Sequence, residues 1–371
     1  MTPLVLEERQ AGSSLTVEWV EELLGTADDW TEPTGWHLDL SATRHVQPFA
    51  SHRLAACLRS LALHDLCVTL PAKANRFRVL YRGGLAAAIA AHATEIRGEA
   101  DRTIERLRNN PFRLEAGANV LLLNRVDDGS WDLNKDHFGA RLWKAIEEHL
   151  GKVEDALDPE THRAVIEAGF EAVANVADHA YGKPFEGSET RTAYCLLSWE
   201  RDAETRRADV LGVGAYREKV LEHLADQNEE FDLEQLGWFG MGIVDDGNGM
   251  AARHSLNREI YRGSIGVEEE ALVDATADAA TVKPRAGDAR LRGDPGWGFS
   301  LMAKAVGAAD GYIAIRTGRN LVEFDPFSVK SDWTLRPERL NVLRGTVLQI
   351  LLPVVIPPDP KLQLDLFADD Q

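Results

Sequence analysis

Four short stretches of this chain combine residue types that have chemistry to offer. In the first, Glu171, Asn175, Asp178 and His179 stand at i, i+4, i+7 and i+8, so on a helix they share one face. Val165, Ile166, Phe170, Val173 and Val176 make the opposite face apolar. Such a stripe is either a solvated surface or a line of ligands aimed into a cleft. The second, Asp245-Asp246-Gly247-Asn248-Gly249, ends the apolar run Trp238 to Val244. Its glycines let the backbone approach a ligand closely, and its first aspartate can accept a hydrogen bond. It is not a calcium loop, because no acidic residue lies at the twelfth position counted from either aspartate. The third, Gly293-Asp294-Pro295-Gly296-Trp297-Gly298-Phe299, is a glycine-rich turn opening a helix, where free N–H groups and the helix dipole favour phosphate. The fourth, Arg344-Gly345-Thr346, opens an apolar strand that Pro353 closes.

Each stretch alone is a weak signal, but their order and spacing resemble the N, G1, G2 and G3 boxes of the gyrase, Hsp90, histidine kinase and MutL (GHKL) ATPase superfamily. The resemblance covers about residues 140 to 353. It implies a Bergerat-type α/β sandwich, a helix layer on a mixed sheet, with ATP and Mg²⁺ held under a flexible lid at 250 to 295. Carried over residue by residue, it implies that Glu171 is the general base and that Asn175 is the Mg²⁺ ligand. Asp178 and His179 would continue the same face towards the nucleotide, His179 as a ligand or as a residue that packs the helix end. Asp245 would accept from the adenine amino group, and Gly247 and Gly249 would shape the adenine pocket. Gly296 and Gly298 would present N–H groups to the phosphates, and Thr346 would support the adenine contact through its hydroxyl. Among the basic lid residues Lys283, Arg285, Arg290 and Arg292, the last lies nearest the glycine turn and is preferred for the γ-phosphate.

Within that superfamily, Asn175-Val176-Ala177-Asp178-His179-Ala180-Tyr181-Gly182 looks most like the anti-sigma-factor serine kinases. The N-terminal run Leu38 to Val46, followed by Pro48-Phe49 and a Leu54 helix, resembles a STAS-like fold, the fold of anti-sigma antagonists. Gln47-Pro48 occupies the place of that family's phosphorylated serine, which leaves Ser51 as the formal candidate. Two activities follow from the resemblance: a Mg²⁺-dependent ATPase working as a nucleotide-driven switch, and a serine/threonine protein kinase of the anti-sigma type. It leaves open whether ATP drives homodimerisation. A nucleotide-independent adaptor is the reading from another class, and the intact Glu171 and Asn175 speak against it.

The elements that must position these residues can be sketched from periodicity. Trp36 to Leu40 reads as a strand, Leu54, Leu58 and Leu61 as one helical face, and Leu66 to Leu70 as a second strand, a βαβ-like unit. Gly84 to Thr94 reads as helix, the Arg-rich run from Arg97 to Arg108 continues or leaves that layer, and Ala118 to Leu123 is a short strand. A helix runs from Phe138 to about Leu157. Asp158 and Pro159 supply an N-cap and a first helical position for the next helix, which continues to about Tyr181. Strands are expected at Thr192 to Trp199, Trp238 to Val244, Gly311 to Arg316, Asn320 to Phe324 and Thr346 to Leu352, with a helix at Phe299 to Ala308. The division is a STAS-like α/β domain over 1–130, a GHKL domain over 138–353, and a Pro-rich linker with a terminal peptide over 354–371.

Composition limits the partners. A net charge of −19 argues against direct binding to a nucleic-acid backbone, whose affinity comes from Lys and Arg. No apolar run reaches the roughly 20 residues that span a bilayer, and acidic residues among Met1 to Gln10 replace a secretory signal, which points to the cytoplasm. Cys57, Cys67 and Cys195 lack zinc or disulfide spacing and read as reduced core residues. A protein partner is expected. At the tail, Gln363, Leu364, Leu366 and Phe367 either fold back on the chain or, as the pentapeptide closely resembles, form the clamp-binding motif that bacterial repair proteins insert into the DNA sliding clamp. Such a clamp contact would let an acidic protein act at DNA.

Overall fold

The computed structural model describes residues 6–27, 35–61, 65–72, 80, 85–98, 120–122, 135–150, 157–176, 193–201, 213–227, 235–245, 247, 249–250, 269–270, 272–273, 276, 298–328, 333–336 and 340–355. The chain is a mixed α/β protein with one parallel and one antiparallel main sheet. The parallel sheet holds β1 (Leu6–Gln10), β3 (Gly35–Asp39), β5 (Leu66–Thr69) and β6 (Glu95–Arg97), in that order. A short pair, β2 (Ser14–Leu15) and β4 (His45–Val46), lies beside it. Parallel neighbours need crossovers, which here are the helices α1 (Val17–Ala27), α2 (Pro48–Leu61) and α3 (Leu85–His92). Arg97 thus closes a strand where a continuing helical layer was one expectation.

The larger sheet has seven strands. In chain order they are β7 (Val120–Leu122), β8 (Ala193–Arg201), β9 (Leu236–Asp245), β10 (Tyr312–Gly318), β11 (Asn320–Phe324), β12 (Trp333–Leu335) and β13 (Leu343–Val355). In space the order is β12-β11-β10-β13-β9-β8-β7. Every neighbouring pair is antiparallel, where a mixed sheet was expected. β10 and β11 are a tight hairpin turning at Gly318 (φ 54), and the other connections also return the chain in the opposite sense. Val120–Leu122, read from sequence as part of the first unit, is the edge strand of this sheet.

Strand alternation gives the large sheet two faces. Phe239, Met241 and Ile243 of β9, with Leu348, Ile350 and Leu352 of β13 and Ile313 and Ile315 of β10, share one core with a layer of three helices, α4 (Lys135–Leu150), α5 (Pro159–Asn175) and α7 (Gly298–Ala308). We call this the front. On the back, Val244 and Val347 join Leu54, Leu58 and Leu61 of α2 and Trp36, Leu38 and Val68 of the parallel sheet. The N-terminal unit is therefore docked through α2 on the rear of the large sheet. Beside it α6 (Gly214–Gln227), inside the charged insertion, packs Tyr216 and Val220 against Trp238 and Tyr312.

Local sequence explains the helices that matter most. Asp158 caps α5 as expected, accepting from the N–H groups of Glu160 and Thr161 at 2.8 Å each, with Pro159 in the first turn. Gly311 N–H returns to Val306 C=O at 2.8 Å and Asp310 N–H to Gly307 C=O at 3.1 Å, a Schellman end for α7 with Asp310 (φ 53) in the left-handed position. No helix among the described residues is long and apolar enough to cross a membrane.

Candidate functional site

The candidate site residues fall into two groups, one on the sheet and one on the helix layer. On the sheet, the register sets Thr346 opposite Asp245 and Thr317 opposite Thr346, so the ends of β9, β13 and β10 form one row. All three residues are in phase with the front-facing residues of their strands, so the row faces the helix layer. Asp245 is only 4% exposed. Its carboxylate accepts from Gly247 N–H at 2.8 Å and from both the backbone N–H and the hydroxyl of Thr346. Every partner it has among the described residues is a neutral donor, so burial dominates and pushes its pKa up to about 7, with these hydrogen bonds opposing the rise. Glycine is needed beside both residues: Gly249, beyond the end of β9, has φ 77, and Gly345, next to Thr346 in β13, has φ 92.

On the helix layer, Glu171 and Asn175 lie one turn apart on α5, each half-buried. α7 begins directly against them. A Cβ added to Gly298 would lie 3.2 Å from Glu171 Oε2 and 3.6 Å from the side-chain amide of Asn175, so a larger residue would crowd the carboxylate. Asn175 Nδ2 is buried and has no hydrogen-bond partner among the described residues. The first N–H groups of α7 have no acceptor within their own helix, and they add positive potential at this junction.

Thus the structure brings together Glu171, Asn175 and Gly298 in one half, and Asp245, Gly247, Gly249 and Thr346 in the other. Asp178, His179, Arg292, Gly296 and the tail residues Gln363, Leu364, Leu366 and Phe367 lie outside the described residues. Ser51, the formal phosphoacceptor candidate, is wholly buried, which removes it as a surface substrate. Cys57, Cys67 and Cys195 are free and buried, with burial raising all three thiols. Sequence reasoning missed Thr317. The alternation Ile313, Ile315, Thr317 carries the signal that places it on the front.

No family model matches this chain, and neither a curated protein nor a solved structure matches it.

Proposed function

We propose that this chain is a GHKL-type ATP-binding regulatory protein that uses ATP and Mg²⁺ as a conformational switch. The observation that carries the reading is the meeting of Gly298 with Glu171 and Asn175. The N-box and G2-box resemblances, far apart in sequence, converge on one spot, and they do so beside the start of a helix. The sheet half supports it independently: a buried carboxylate ringed by neutral donors suits the amino edge of an adenine.

The residues also fit the metal. Phosphate beside the Glu171 carboxylate would be repelled, and a divalent cation removes that conflict; the Asn175 side chain would offer its Oδ1 to the ion, and its Nδ2, which has no partner among the described residues, would donate to a phosphate oxygen. Mg²⁺, when bound, supplies positive charge to the phosphate oxygens. Asn175 would hold it. Glu171 would orient and deprotonate the attacking water, and the first N–H groups of α7 would donate to the phosphates. Asp245, kept in place by Thr346, would select the base. The lid at 250 to 295, with Arg292 nearest the glycine turn, would close over the nucleotide and present a surface to a protein partner. Gln363, Leu364, Leu366 and Phe367 would recruit the DNA sliding clamp, tying the switch to DNA metabolism or defence.

Labelled Mg·ATP binding and turnover on wild type, Asp245→Asn and Glu171→Ala tests the assignment. Wild type binds, Asp245→Asn loses binding by at least about a hundredfold, and Glu171→Ala binds but turns over at least about a hundredfold more slowly. Wild type that binds no nucleotide sinks the reading. Transfer of the label to a protein hydroxyl, rather than its release as phosphate, would identify the anti-sigma type of serine/threonine kinase.

A further inference from the structure

Thr317 is 1% exposed, at the end of β10, and its hydroxyl is used in both directions. It accepts from Met250 N–H at 3.1 Å and lies 3.2 Å from Gly345 C=O, to which it donates. Met250 is the first residue beyond the Asp245–Gly249 turn, and Gly345 immediately precedes Thr346. One hydroxyl therefore bridges the two backbone segments that carry Asp245 and Thr346.

We propose that Thr317 is a positioning residue for nucleobase selection, an inference that rests on the nucleotide reading above. Both segments depart from regular strand geometry where the hydroxyl joins them. Gly249 and Gly345 both take left-handed backbone, and the β10–β13 register shifts at Thr317/Gly318. Strand pairing holds Asp245 and Thr346 opposite each other, but beyond that rung the ladder ends. The Thr317 hydroxyl supplies the missing cross-link at the level where the chain leaves the turn. It also fixes the direction in which the chain departs, because Met250 packs on the front core. A valine would fill the same volume and suit the strand equally well, so packing alone does not call for a hydroxyl. Its two bonds do. Loss of the bridge would let the turn and the Thr346 segment move independently, blurring the spacing of the groups that read the base. The phosphate end, formed by Glu171, Asn175 and Gly298 on other elements, would be left as it is.

The test is calorimetric titration of the full chain with Mg·ATP, Mg·GTP and Mg·tripolyphosphate, on wild type, Thr317→Val, Thr317→Ala and Thr317→Ser. Wild type is expected to prefer ATP over GTP. Removing the hydroxyl with Val, or with Ala if the Val variant does not fold, is expected to weaken ATP about tenfold and narrow the ATP-over-GTP preference by a similar factor. Tripolyphosphate affinity stays within about twofold, and Ser, which keeps the hydroxyl, recovers ATP affinity to within about threefold. ATP and tripolyphosphate weakening together would reduce Thr317 to a merely structural residue and overturn the proposal, as would unchanged ATP affinity or a wild type with no base preference. Wild type that binds neither nucleotide defeats the underlying reading, and the role of Thr317 falls with it.

Discussion

Both faces of the large sheet bury charge, but they treat it oppositely. On the back, Arg316 of β10 is fully buried and meets Glu21 of α1 through two bonds of 3.0 Å, and Arg53 of α2 reaches the same carboxylate at 3.1 Å. Arg316 also donates to the carbonyls of Gly318 and Asn341, while the Asn341 amide returns to Glu21 C=O at 2.7 Å. Opposite charges and carbonyl dipoles compensate one another there. On the front, Asp245 has only neutral donors among the described residues, and burial raises its pKa to about 7. A compensated cluster fastens two units together, whereas a buried carboxylate that meets no cation among the described residues is the kind of perturbed group that marks a candidate site.

If the back is a seam and the front a site, damage to each should be separable. The largest effect is expected for Glu21→Ala, which strands two buried guanidiniums and should cost about 4 kcal/mol in urea unfolding. Mg·ATP affinity of the remaining folded protein should change less than about twofold. An affinity that falls in step with stability would show that the N-terminal unit helps to form the pocket, and the contrast between the faces would collapse.

Asp245 supplies a second, pH-dependent contrast. Its folded pKa lies above the ordinary carboxylate value, so the native state binds more protons than the unfolded chain between pH 4 and about 7. Its contribution to stability is complete below the unfolded pKa and disappears as pH rises through about 7. Between pH 5 and 7.5 the wild type should lose about 2.5 kcal/mol that Asp245→Asn keeps. Parallel pH profiles for the two proteins would show that this carboxylate is ionised and solvated, with no energy stored in it.

How far these contrasts could be read from sequence depends on the range of the interactions. The α5 cap at Asp158-Pro159, the apolar run ending in Asp245 and the helix after Gly298 were legible, because each is coded by neighbouring residues. The helix-layer half of the site was legible as spacing, whereas the contact of Gly298 with Glu171 is tertiary. The Glu21–Arg316 pair joins elements at opposite ends of the chain, and no periodicity announces it. The polar Glu7-Glu8-Arg9 within β1 hides an edge strand, and β7 pairs with β8 across the expected domain boundary because pairing follows the sheet rather than sequence proximity.

Glycines in β9 offer the smallest and most local test. Central strands normally exclude glycine, yet Gly237, Gly240 and Gly242 lie within ten buried residues. An added Cβ would come 2.3 Å from Trp199 Cη2, 2.2 Å from Ser198 Oγ and 2.4 Å from His52 Nδ1, respectively. Only the last contact crosses to the N-terminal unit. His52 has no room to retreat: it is fully buried and within 3.3 Å of Gln349 Nε2, and burial, aided by Arg53, drops its pKa to about 3, so it is neutral. Gly242→Ala should therefore cost about 2 kcal/mol by overpacking. Combined with His52→Ala, which opens space for that methyl, the two losses should fall short of additive by about 1 kcal/mol or more. Additive losses would mean that the strain is relieved by moving β9, which carries Asp245 three residues further along the same strand. ATP affinity would then fall in Gly242→Ala as well, and the seam would have a direct mechanical route to the site.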